Sequence, residues 1–144
     1  VENGGVNSGF MIPQVTAAAL VAENRSLAFP ASVDSVPTSA NQEDHVSMAT
    51  GAARKAGTVA LNAAGIIALE LMAAAQGIDF HKPYKTSPVL ETAYRKVRNC
   101  TAFLKKDRYL ANEMRSMQWL VFDGEFGRAK DLQALTRTLF DPAS

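Results

Sequence analysis

The chain contains very little cysteine and histidine. Among its 144 residues there is one cysteine, Cys100, so no internal disulfide can form. The two histidines, His45 and His81, lie far apart, and neither shows the spacing of a metal site. No glycine-rich phosphate-binding loop occurs either. These shortages exclude a disulfide-stabilised secreted scaffold. They predict no metal ligand within the chain, and the unpaired thiol is typical of the reducing cytoplasm.

Excess charge of one sign is also missing. Lysine and arginine number 15, aspartate and glutamate 14, and the formal net charge is +1. So small a charge gives no strong field that would attract nucleic acid or an anionic membrane surface, and we expect neither partner. The chain begins at Val1 without a basic and then apolar leader, and we expect a fragment or a processed product of a longer protein.

Alternating strand patterns are missing, and the patterns that remain are helical, so we expect an all-α fold. Apolar residues recur at three- and four-residue spacing over residues 6–23, which predicts a first helix capped by Asn7 or Ser8. Residues 25–38 contain two prolines and predict an ordered loop. Later helices are predicted from Ser87-Pro88 to about Asn99, from a cap at Asp107 to about Leu120, and from about Arg128 to Leu139.

The longest predicted element spans residues 41–76, where there is no proline and little charge. A helix of that length, about 50 Å, that is apolar on nearly all sides is normally buried in a large core or in a membrane. Polar Thr58, Asn62 and Glu70 interrupt the apolar run, so we expect a long buried helix within a multi-helix bundle. Gly77 is expected to end this helix as a left-handed cap.

A stripe of small residues follows one side of this predicted helix. Ala49, Ala53, Gly57 and Gly65 recur at multiples of four residues, interrupted by Leu61. Small side chains allow another helix to approach closely. A chain of 144 residues can hardly surround a long apolar helix on every side. We therefore expect partner helices from elsewhere, and self-association of the chain.

Two amides, two carboxylates and an imidazole occupy residues 41–45, next to this apolar run. As structure, Ser39 followed three residues later by Gln42 is a capping-box pattern, and carboxylates favour the positive end of a helix. As chemistry, Glu43 is a ready proton acceptor if it faces a cleft, and His45 can carry a proton. The residues alone leave the structural and the functional interpretation open.

The same block also resembles a known family. The stretches that carry the resemblance are residues 7–12 (NSGFMI), 14–20 (QVTAAAL), 30–35 (PASVDS), 38–48 (TSANQEDHVSM), 76–80 (QGIDF) and 107–111 (DRYLA). In this order they are similar to the C-terminal part of the aromatic amino acid lyases, and among these to the histidine ammonia-lyases. The resemblance implies that residues 1–144 form a single helical C-terminal fragment of a larger lyase. It also implies a homotetramer whose subunits build the active sites together.

The resemblance further implies a substrate, a cofactor and site residues. Histidine ammonia-lyases convert L-histidine, a small amino acid, to urocanate, using a methylidene-imidazolone electrophile formed from an Ala-Ser-Gly triplet. Glu43 corresponds to a catalytic acid near the substrate imidazole, where phenylalanine and tyrosine lyases typically have Gln. Gln42 and Glu43 are therefore expected to bind substrate. This chain contains no Ala-Ser-Gly, so the cofactor is expected to form outside it and the chain alone is expected to be inactive.

Two alternatives remain at this point. The first is another lyase or an aminomutase of the same family that acts on a different aromatic amino acid. The second is a non-catalytic helical module that acts only by association. An Ala-Ser-Gly encoded upstream in the natural gene would distinguish an enzyme from such a module.

Overall fold

A computed structural model describes residues 1–127 of the chain. Within this range there are four α-helices and no β-strand beyond two isolated bridges. The helices are α1 (Met11–Leu27), α2 (Ala49–Phe80), α3 (Pro88–Cys100) and α4 (Ala111–Phe122). The all-α prediction is confirmed. The helix predicted for residues 128–139 lies outside the described residues.

Helix α2 is the central element, and α1, α3 and α4 pack against it. Its 32 residues span about 48 Å. The buried core consists of Ala68, Leu69, Met72 and Ala75 from α2, Val97 from α3 and Met117 from α4. The α2 members recur every three or four residues and so form one stripe. The core therefore lies on the second half of α2.

The first half of α2 contributes no residue to this core within the described residues. Between residues 49 and 60 only Lys55 and Val59 are even partly buried. By length and composition α2 is the one described helix that could cross a membrane, with a mean hydropathy of 1.7 and 33% burial in its most apolar window. The expected long helix is thus present, but the expectation that it is buried holds only for its second half.

Polar side chains tie α2 to its neighbours. The Asn62 amide Nδ2 donates to Asn24 Oδ1 of α1 at 3.0 Å. From α4, the Gln118 amide Nε2 donates to the Leu61 carbonyl at 2.9 Å. Gly65 lies beside this contact, where a Cβ would approach Leu20 Cδ1 to 3.2 Å and Gln118 Nε2 to 3.3 Å. The close approach expected at the small-residue stripe is therefore found at Gly65.

The predicted start of α1 is wrong by several residues. The helix begins at Met11 after Phe10, and no side chain caps it. Asn7 cannot serve as the cap because its side chain binds the Glu2 carbonyl and the Asp107 N–H. Ser8 does not cap α1 either, and its N–H donates to the Asp107 carboxylate. Asp107, about 100 residues away in sequence, thus binds the Asn7 side chain and the Ser8 N–H in place of a local cap.

Three further predicted boundaries are changed, and one is confirmed. Gly77 does not end α2, which continues to Phe80, and Asp79 in its last turn forms an ion pair with Arg98 of α3. Asp107 does not cap α4, which begins at Ala111. The third, the start of α2, moves from about residue 41 to Ala49. In contrast, α3 begins as predicted at Ser87-Pro88, and the Ser87 hydroxyl accepts from the Leu90 N–H at 3.4 Å.

Candidate functional site

The polar block at residues 41–45 lies in an irregular hairpin and not on α2. The Thr38 N–H donates to the Glu43 carbonyl at 3.0 Å, and the Glu43 N–H donates to the Thr38 carbonyl at 3.3 Å. Farther from the tip, the Ser35 hydroxyl accepts from the Val46 N–H at 2.9 Å and donates to the Val46 carbonyl at 3.3 Å. Both pairs fit one antiparallel register. We call residues 35–46 the site hairpin.

The tip of the site hairpin is a left-handed turn built without glycine. Ser39, Ala40 and Asn41 have φ values of 55°, 56° and 69°. This conformation costs about 1–2 kcal/mol for most residues, and less for Asn, which adopts it more readily. The Gln42 N–H donates to the Ser39 carbonyl at 3.1 Å inside the turn. Strained backbone of this kind is concentrated at functional sites.

The capping-box prediction for Ser39 and Gln42 is therefore wrong. Neither residue lies at a helix terminus, since α2 begins only at Ala49. The helix dipole also acts mainly within the first turn, so it does not reach Glu43. The backbone of Glu43 is instead positioned by its two hydrogen bonds with Thr38. The structural interpretation based on helix capping has no support in the structure.

The side chains of Gln42, Glu43, Asp44 and His45 are all exposed. Across residues 1–127 none of these four side chains forms a hydrogen bond or an ion pair. The hairpin thus positions the backbone while it leaves two carboxylates, an amide and an imidazole available to a ligand or to another segment of protein. Such groups can accept or donate hydrogen bonds and can transfer protons.

A shallow cavity of about 300 Å³ lies beside the site hairpin. Its lining includes Asp34, His45, Val46 and Met48. Its size is at the lower end of small-molecule sites. Gln42 and Glu43 do not line it, so the described residues bring His45 and Asp34 together but leave the predicted catalytic carboxylate outside. Asp34 was not singled out from the sequence, because no spacing rule connects it to His45.

A larger cavity of about 480 Å³ separates α1 from the segment before α4. Its walls are largely apolar, and the charged groups at its edge are already bound. The Asp107 carboxylate accepts from the Ser8 and Gly9 N–H groups at 2.7 and 2.8 Å, which lowers the pKa of Asp107. Arg108 donates to Glu113 at 2.9 Å through one guanidinium nitrogen and at 3.0 Å through Nε. The Asp107 contacts thus join the segment before α1 to the segment before α4.

An ionic cluster connects α2 with α3, in which Asp79 and Arg98 are mostly buried and Lys82 is exposed. The Asp79 carboxylate accepts from the Tyr94 hydroxyl at 2.7 Å and contacts Lys82 at 2.5 Å and Arg98 at 2.7 Å. Burial raises the pKa of Asp79, but the hydrogen bonds from Lys82 and Tyr94 and the charge of Arg98 outweigh it, so the pKa is lowered. Every charged group here has a charged partner, which indicates a structural cluster.

The model of the aromatic amino acid lyase family matches residues 1–99. This chain belongs to the aromatic amino acid lyases. It is 64% identical over 126 residues to the histidine ammonia-lyase of Desulfotalea psychrophila and 58% identical over 126 residues to that of Photobacterium profundum. Each alignment covers 88% of this lyase chain and 25% of the relative. The chain thus spans about a quarter of the length of these relatives.

Two solved structures share this fold, each over about a quarter of its own length. The histidine ammonia-lyase of Trypanosoma cruzi superimposes with a TM-score of 0.84 at 44% identity, over 93% of this chain and 26% of that one. The tyrosine aminomutase of Streptomyces globisporus gives a TM-score of 0.82 at 40% identity, over 88% of this chain and 24% of that one. The resemblance to the histidine ammonia-lyases is confirmed. The aminomutase also shows that the fold alone does not set the reaction.

Proposed function

We propose that this chain forms the C-terminal part of a histidine ammonia-lyase, which converts L-histidine to urocanate. The identities of 56–64% to histidine ammonia-lyases support this assignment over an aminomutase or a non-catalytic module. The observation that carries the choice of substrate is Glu43. It is an exposed carboxylate without a partner in residues 1–127, held by its backbone in the site hairpin.

Glu43 has the chemistry that an imidazole substrate requires. An ionised carboxylate accepts a hydrogen bond from an imidazole N–H, and charge-assisted bonds of this kind are the stronger ones. The same group can take or return a proton during the reaction. Gln42 next to it offers both a donor and an acceptor, and we assign it to substrate orientation. Glu43 is thus proposed as catalytic and substrate-binding, and Gln42 as substrate-binding.

The methylidene-imidazolone group of this family supplies the electrophile that activates the substrate amine. The 144 residues contain no Ala-Ser-Gly triplet from which it forms. Glu43 and Gln42 nevertheless fit such a site, because they present a free carboxylate and a free amide on an open surface that another segment can cover. We propose that this segment lies outside the chain. The chain then contributes the substrate-binding hairpin and no electrophile.

We also propose that the parent enzyme is a cytoplasmic homotetramer. The open first half of α2 supports assembly, since within residues 1–127 no other segment comes within 4 Å of a Cβ added at Gly57. A second copy, or other segments of the parent, would cover this surface. The single cysteine supports a reducing compartment such as the cytoplasm. The small net charge supports a small-molecule partner, the amino acid substrate, over nucleic acid or an anionic membrane.

Replacing Glu43 in the full-length parent enzyme tests the proposal. Glu43→Gln keeps the shape of the side chain and removes its charge. We expect kcat/KM for L-histidine to fall about 10²-fold or more, which equals roughly 2.7 kcal/mol of transition-state stabilisation. Urocanate absorbance reports the rate. The matched control is Glu70→Gln on the exposed side of α2, which should leave the rate unchanged.

Two results would count against this function. Near-normal histidine turnover by a well-folded Glu43→Gln enzyme would remove the reason for assigning histidine through this residue. Faster turnover of L-tyrosine than of L-histidine by the unchanged parent enzyme would instead favour the aminomutase-like alternative.

A further inference from the structure

The site hairpin holds Glu43 through two independent features. One is the left-handed turn at residues 39–41, which brings Thr38 and Glu43 into backbone pairing at 3.0 and 3.3 Å. The other is Ser35, whose half-buried hydroxyl bonds both backbone groups of Val46 at 2.9 and 3.3 Å. Together they fix the hairpin on both sides of residues 44 and 45. Nothing else in residues 1–127 anchors Glu43.

The turn reverses the chain with three consecutive non-glycine residues at positive φ, a conformation that costs free energy. A four-residue connection could use glycine wherever φ is positive, because glycine has no Cβ that clashes in this region. Here Ser39, Ala40 and Asn41 fill all three such positions. Ala40 is exposed. Contacts of the Ala40 side chain therefore do not account for the positive φ. The backbone conformation itself needs an explanation.

We propose that the left-handed turn and the Ser35 hydroxyl position Glu43 for the substrate, so that Ser35 and Ala40 are positioning residues. This inference rests on the function proposed for Glu43. A carboxylate on an exposed loop would otherwise sample many places, and catalysis requires the reacting groups within a narrow range of distance and orientation. Two rungs of hydrogen bonds and a strained tip leave the Glu43 backbone little freedom.

Ala40 allows a sharp test in the full-length parent enzyme. Ala40→Gly adopts the positive φ freely and keeps the turn, whereas Ala40→Val resists it because valine is branched at Cβ. We expect kcat/KM for L-histidine to stay within about twofold for Ala40→Gly and to fall about 10-fold or more for Ala40→Val. Ser35→Ala should also lose about 10-fold, and Ser35→Thr, which keeps a hydroxyl, should recover most of it. Ser26→Ala, an exposed serine of α1, is the control.

A double-mutant cycle separates positioning from a general structural effect. If the turn acts through Glu43, then Ala40→Val combined with Glu43→Gln should turn over within about twofold of Glu43→Gln alone. Losses that multiply would show that the turn acts elsewhere and would overturn the proposal. Should Ala40→Val fail to fold, Ser35→Ala completes the same cycle. Melting temperature and oligomeric size verify that each variant is folded.

The outcomes distinguish this inference from the proposed function. A low rate for Glu43→Gln with normal rates for Ala40→Val and Ser35→Ala overturns the positioning role and leaves the function intact. A normal rate for Glu43→Gln overturns the role of Glu43 itself and, with it, any need to position that side chain. Equal losses for Ala40→Gly and Ala40→Val also contradict the inference, since the alanine methyl would then matter and the backbone conformation would not.

Discussion

Carboxylates within residues 1–127 are held in two different ways. Asp79, Asp107 and Glu113 each accept several hydrogen bonds, and their pKa values are lowered. Burial raises the pKa of Glu113, but hydrogen bonds from Arg108 and Thr101 and the Arg108 charge outweigh this. These three groups stabilise the fold. Glu43 has no such partners within this range, which is compatible with the ligand-binding role proposed for it.

The bound carboxylates predict a loss of stability in acid. Their folded-state pKa values lie below the unfolded ones, so their contribution is complete above about pH 4–4.5 and is lost as the pH falls through the lowered values. We expect the melting temperature of the chain, followed by circular dichroism, to drop steadily below about pH 4. Glu113→Gln should lower the melting temperature at pH 6 by the equivalent of about 1 kcal/mol and reduce the acid slope. A melting temperature that stays constant down to pH 2 would contradict this account.

At the scale of elements, α2 consists of two unlike halves. Its second half supplies the core stripe and accepts the close contact with α1 and α4 at Gly65. Its first half carries Gly57 on a surface that nothing within the described chain covers. The second half of α2 therefore packs within this chain, and we propose that the first half packs against protein outside it.

The two glycines form a matched pair for mutation. Gly65→Leu should destabilise the chain by about 1–3 kcal/mol, because the added side chain meets Leu20 and Gln118. Gly57→Leu should leave the folding stability unchanged or raise it by up to about 1 kcal/mol, since leucine favours a helix more than glycine does. Urea unfolding at low protein concentration measures both. Equal destabilisation by the two changes would show that Gly57 is covered within the chain.

At the scale of the whole molecule, the described chain exposes many large apolar side chains. They include Val6, Phe29, Val33, Phe80, Tyr84 and Tyr109, each more than 60% accessible. Surfaces of this kind mark contacts with other protein, because isolated soluble domains rarely leave large apolar patches open. These exposed side chains therefore support the proposed assembly with other protein.

We expect the purified chain to self-associate through the first half of α2. Sedimentation over a range of concentrations should show species larger than a monomer. Gly57→Leu should shift the equilibrium towards the monomer by overfilling the stripe of small residues. The control is Gly51→Ala, because Gly51 is also open within residues 1–127 and alanine adds a much smaller side chain. A compact monomer at every concentration would contradict this expectation.

The chain alone should not deaminate histidine. It contains no Ala-Ser-Gly precursor, and a carboxylate by itself contributes only about 10²–10⁴-fold through acid–base catalysis. Purified chain incubated with L-histidine should give no urocanate absorbance above background. Turnover that persists after contaminating full-length enzyme has been excluded would contradict the proposed division of the active site.

Local signals in the sequence determined the helical class, the start of α3 and the family. Ser87 and Pro88 predict a helix start because a capping oxygen and a fixed φ act within a few residues, without help from the rest of the chain. The proline-free apolar run predicts the long helix for the same reason. The block around Glu43 identifies the family, since its residue types and order are themselves the signal.

Only the tertiary structure showed where long-range contacts give a different local structure from the one that the sequence predicts. Asp107 binds the Ser8 and Gly9 N–H groups and does not cap α4, because its partner lies about 100 residues away. Glu43 lies in a hairpin because Ser35 and Val46 pair across it, and no helical periodicity encodes that pairing. Propensity acts between near neighbours, whereas the position of a side chain also depends on the distant segments that bond its backbone in the folded state. The residue types of the candidate site are therefore visible in the sequence, and their geometry is set by contacts that only folding brings together.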